Sequence, residues 1–70
     1  MRVTYTEHLY IAPCDRHLAR TVMHECATEG VDVQYHRRDS CYAISSPRGS
    51  YRAVQRQRAR MWQQLLNRRK

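Results

Sequence analysis

Polar and apolar residues alternate from Arg2 to Ile11. Val3, Tyr5, Leu9 and Ile11 share one parity, with Glu7 the single charged residue among them. A period of two in a stretch rich in β-branched and aromatic residues predicts a strand with one face turned inward. Ala12-Pro13 ends it, because proline has no N–H to give to a ladder. From Asp15 the period changes. Leu18, Ala19, Val22, Met23 and Cys26 gather on one side of a helical projection, and Arg16, His17, Arg20, Thr21, His24 and Thr28 fill the remainder. The pattern predicts an amphipathic helix from Asp15, as N-cap, to about Glu29, with Gly30 as its stop.

Alternation returns at 31–36, where Val31, Val33 and Tyr35 share a face. Arg37-Arg38-Asp39-Ser40 reads as a polar turn and Cys41–Ser45 as the returning strand of a hairpin. Ser46-Pro47-Arg48-Gly49-Ser50 is a connector that ends on a good N-cap. A second helix is predicted from Tyr51 to about Asn67, with the last three basic residues frayed. Val54, Met61 and Leu65 form its core stripe, flanked by Tyr51, Trp62 and Leu66.

The resulting order, β-α-β-β-α, predicts an α+β fold of two layers. A three-stranded sheet carries two helices on one face, and the first crossover is right-handed. Nothing divides the 70 residues, so one small domain is expected. A chain of this size buries only about 60% of its unfolded surface, and pairing two copies as a homodimer would add to that.

Composition excludes some alternatives. With 41% hydrophobic and 27% charged residues the chain is too apolar for a disordered tail. It has no apolar run near the ~20 residues of a membrane span, so no membrane partner is expected. The opening MRVTYTEHLY lacks the apolar stretch of a signal peptide, which makes the cytoplasm the expected location.

Charge changes the picture more. Thirteen basic and six acidic side chains give a net charge of +7. All six acids lie in residues 1–39, which sum to −1, whereas residues 40–70 contain no acid and sum to +8. Arginine outnumbers lysine twelve to one. A planar guanidinium forks onto phosphate or carboxylate, so the bias suits oxyanion recognition, although GC-rich coding DNA enriches arginine without any such selection.

On the second helix Arg52, Arg56 and Arg60 recur every four residues opposite the core stripe, with Gln63 and Asn67 continuing the row and Arg48 extending its spacing backwards. Like charges four apart repel by a few tenths of a kcal/mol per pair, and no acid on this helix offsets them. A polyanion would supply the missing counter-charge, and Arg with Gln and Asn can reach phosphates and base edges. A solvated face is the bland reading of the same row. Arg20, with His17 and His24 on the first helix, and Arg37-Arg38 at the hairpin tip could widen the footprint. The expected partner is nucleic acid, DNA or RNA, or else an acidic protein surface. The second possibility describes a small inhibitor or adaptor, of the kind phages and mobile elements use as anti-defence factors, docking its cationic helix on a partner.

Other constellations carry less. Arg58 projects into the apolar stripe and Glu7 into the inward parity of the first strand, which predicts a buried Glu7–Arg58 pair. The alternatives are that Arg58 lies over Trp62 or crosses a homodimer seam. Cys14, Cys26 and Cys41 are expected as free thiols, and the spacing of Cys14, His17, His24 and Cys26 fits no usual zinc module, so no metal or other cofactor is expected. Two glycines leave no phosphate-cradling loop. A non-enzymatic role is therefore expected, with a small ribonuclease built on Glu7, His8, His36 and Tyr42 as the catalytic alternative. His8, Tyr10 and either Tyr35 or Tyr42 could furnish an aromatic sheet face for stacking single-stranded bases.

Overall fold

A computed structural model describes residues 4–68. Three strands, β1 (Tyr5–Tyr10), β2 (Asp32–His36) and β3 (Cys41–Ser46), form one antiparallel sheet in the order β1-β3-β2. The helices α1 (Arg16–Glu25) and α2 (Tyr51–Arg68) pack against it. The architecture is the expected two-layer α+β arrangement, and the hairpin β2–β3 places β3 between two strands that run parallel to each other. Val3, the first member of the β1 alternation, lies outside the described residues, as do Arg69 and Lys70 at the other end.

Register assigns the two sheet faces. Leu9 pairs with Tyr42 and Glu7 with Ile44 on one side of β3, while Tyr35 and Val33 pair with the same two residues on the other. These side chains form the inward face. Leu9, Tyr42 and Ile44 are buried in one core with Ala19 and Val22 of α1, Cys26 just after it, and Val54, Met61 and Leu65 of α2. The outward face carries Thr6, His8 and Tyr10 of β1, Cys41, Ala43 and Ser45 of β3, and Asp32, Gln34 and His36 of β2.

Two element ends differ from expectation. Asp15 sits in a 3₁₀ turn, Pro13–Asp15, that precedes α1, and its side chain makes no capping hydrogen bond. At the other end α1 stops at Glu25, several residues before Gly30. There the single Thr28 O–H is shared between the Cys26 carbonyl and Gln57 Oε1, and the Val31 N–H returns to the Thr28 carbonyl at 3.3 Å. A β-branched residue with a hydroxyl offers the backbone this local alternative to another helical turn. Gly30, at φ +83°, serves the turn into β2 instead.

At α2 the start is as expected. Ser50 Oγ accepts from the Ala53 N–H at 3.3 Å, an N-cap bond. The helix continues through Arg68, which is not frayed: its guanidinium pairs with Glu25 at the end of α1 and ties the two helices together. Gln57 was not expected in the core. It is 1% exposed, in register with Val54 and Met61, and its amide nitrogen has no hydrogen-bond partner among the described residues. Its oxygen is held by Thr28, so the residue joins α2 to the loop that ends α1.

Candidate nucleic-acid interface

The burial of Val54, Gln57, Met61 and Leu65 fixes which way α2 faces. Arg52, Arg56 and Arg60 consequently project from its far side, and all three are exposed. Among the described residues none of them forms an ion pair. Four residues of helix advance about 6 Å, so the row extends about 12 Å along the axis. That is the axial length of three to four phosphates of one duplex strand at about 3.4 Å each. Gln63 and Asn67 continue the row, with the Gln63 amide donating to Asn67 Oδ1 at 3.3 Å.

The remaining predicted contacts divide into two groups. Arg48 lies in the loop before α2, on a shallow cavity with Glu29, Gly30 and Pro47, and so is not part of the helical row. Arg20 and Arg37 come together. With Arg16, His17, Tyr35 and Tyr42 they line a cavity of about 310 Å³ between the start of α1 and the β2–β3 turn. Arg38 and His24 are exposed but do not line it. Sequence reasoning missed Arg16, Tyr35 and Tyr42 as cavity residues. The available signals were the four-residue spacing of Arg16 and Arg20 and the inward parity of the two tyrosines.

The Glu7–Arg58 pair does not form. Glu7 accepts from the neighbouring Tyr5 hydroxyl, and Arg58 Nε donates to the His8 carbonyl at 3.0 Å. The reason lies in the strand. The Ile11 N–H bonds to the Ser40 carbonyl, on the β3 side, so odd residues of β1 direct their backbone groups to β3 and even residues direct theirs to the open edge. Arg58 thus occupies an edge carbonyl that would otherwise be open to another strand. It shares a small groove with Leu9, Tyr10 and Trp62. Trp62 and Leu66, 40% and 42% exposed, give that flank of α2 an apolar surface beside the arginine row.

The expected aromatic sheet face is also corrected. His8 and Tyr10 stack on the outward face with ring centroids 6.3 Å apart, but Tyr35 and Tyr42 are both inward, 4.9 Å apart. The same parity separates Glu7 and Tyr42 from His8 and His36, so the four residues of the ribonuclease alternative do not gather at one place. Among the described residues no three metal-ligating side chains lie close enough to hold an ion. The three cysteines are free thiols, Cys14 exposed and the other two buried.

Burial raises the Tyr42 phenol and the Cys41 thiol above their ordinary values, and the nearby Arg20 and Arg16 partly offset the shift at Tyr42. Both groups hold their protons more tightly in the folded state than in the unfolded one. Their contribution to stability is complete below the unfolded values, about 9 to 10, and is lost as pH rises through the folded ones. Stability measured by denaturant titration should therefore fall from about pH 9 upward, less steeply in Tyr42→Phe. Parallel losses in the two proteins would contradict the burial argument for Tyr42.

Compared with protein-family models, curated proteins and solved structures, the chain matches none. No helix among the described residues is long and apolar enough to cross a membrane.

Proposed function

We propose that this is a small, non-enzymatic nucleic-acid-binding module of the cytoplasm whose contact surface is the exposed face of α2. One observation carries the reading: Arg52, Arg56 and Arg60 stand side by side with no acidic partner among the described residues, in a segment that contains no acid. Three aligned guanidiniums repel one another and are stabilised when phosphates replace the missing carboxylates. Binding is then dominated by counterion release and is weakly selective for sequence. With Arg48 as a fourth contact, log K against log salt has a slope of about −4. A titration of random-sequence DNA and RNA across salt tests this, and retention that ignores salt would refute it.

A second reading has a specific observation in its favour. Trp62 and Leu66 expose apolar surface on the flank of the same helix, and a half-exposed tryptophan beside arginines is the composition of a protein-binding hot spot. In that reading the cationic helix docks on an acidic groove of a partner, as an inhibitor or adaptor would. Recovery of one stoichiometric protein after nuclease treatment distinguishes it, because the first reading predicts that nuclease removes the captured material.

A further inference from the structure

The cavity at the start of α1 is built from different residues and points to a ligand of its own. Arg16 and Arg20 stand one turn apart on α1, His17 lies between them in sequence, and Arg37 reaches in from the β2–β3 turn. Its floor is the pair Tyr35 and Tyr42, which pack as tilted rings. No carboxylate of the described residues lines it. Among the described residues none of the three guanidiniums, nor His17, forms an ion pair. Tyr42, 2% exposed overall, turns what surface it keeps to this cavity. Three guanidiniums converging on one cavity over two aromatic rings, with no ion pair among the described residues, form an arrangement that lacks an anionic partner.

We propose that this cavity binds a phosphate monoester, gripped by Arg16, Arg20 and Arg37 above the Tyr35–Tyr42 floor. Charge selects the class. A carboxylate would answer one of the guanidiniums, whereas a dianionic phosphate presents several oxygens to forked donors and accepts from the phenols as well. Arg16 and Arg20 lie near enough to Tyr42 to pull its phenol down against burial, so the cations and the hydroxyl address the same space. Size sets the limit. At about 310 Å³ the cavity is at the small end of ligand sites and takes a phosphate with one attached nucleoside rather than a length of polymer. The phosphate can come from a free mononucleotide or from the 5′ end of a strand. No residue is shared with the row on α2, so either site can fail without the other.

The test is calorimetric titration at fixed ionic strength with four probes: adenosine 5′-monophosphate, adenosine, and one tetranucleotide with and without a 5′-phosphate. The monophosphate should bind at least about tenfold tighter than adenosine, the worth of one charge-assisted hydrogen bond. Arg20→Gln and Arg37→Gln should each reduce that preference by about tenfold, and Tyr42→Phe by less. If the phosphorylated tetranucleotide shares the preference, the source is a strand end; if only the mononucleotide does, it is a free nucleotide. The exposed arginines of the α2 row, changed to glutamine, should leave the preference intact. Equal binding of phosphorylated and unphosphorylated probes would overturn the proposal. So would a preference that survives in the triple variant R16Q/R20Q/R37Q, or one that disappears when only the α2 row is changed.

Discussion

Replacing Arg52, Arg56 and Arg60 together with glutamine should reduce the salt dependence of nucleic-acid binding to a slope of about −1, from about −4 in the unaltered protein. Each guanidinium that neutralises a phosphate releases its counterion and adds about 0.9 to the slope, so three removals subtract nearly three. The effect is large. With four contacts, raising salt from 50 to 200 mM should weaken the unaltered protein by about 150-fold and the variant by about fourfold. Stability should move little and in the favourable direction, since the row consists of exposed like charges at helical spacing. Single substitutions should each remove about one unit of slope, which separates loss of a contact from loss of the fold. A variant with undiminished slope would place the binding elsewhere.

The second large effect concerns the element that aims this row. Met61 is fully buried in the core shared by both helices and the sheet. Met61→Ala deletes its packing and leaves a cavity, at about 2–5 kcal/mol. Seventy residues at ordinary stability per residue amount to about 4–10 kcal/mol in all, so this one change consumes a large share. For a domain of this size that corresponds to a Tm lower by about 10–30 °C in a circular-dichroism melt. Trp62→Ala, one residue on but 40% exposed, should cost clearly less although it removes a larger side chain. Equal losses at the two positions would mean that α2 is rotated about its axis and that the row does not face solvent.

Much of this was legible in the sequence because it depends on local periodicity. The alternation of β1 and of the hairpin, the stripe of Val54, Met61 and Leu65 and the Ser50 cap all follow from near-neighbour geometry. The opposite placement of Arg52, Arg56 and Arg60 follows as soon as that stripe is known. What escaped depends on contacts between distant segments. Gln57 has the helical position of a core residue, but its burial requires the Thr28 hydroxyl, 29 residues away. Arg58 turned to a backbone carbonyl because β1 is an edge strand, and edge position is a property of the sheet order, not of the strand. The cavity of Arg16, Arg20 and Arg37 needed the hairpin tip to arrive beside the start of α1, which periodicity does not specify.

The most direct measurement follows the arginine side-chain Nε–H resonances by NMR while a short oligonucleotide with free hydroxyl ends is added. Signals of Arg52, Arg56 and Arg60 should shift together and saturate together, while that of Arg68, engaged by Glu25, stays in place. Movement confined to other arginines, with those three unchanged at saturation, would contradict the account.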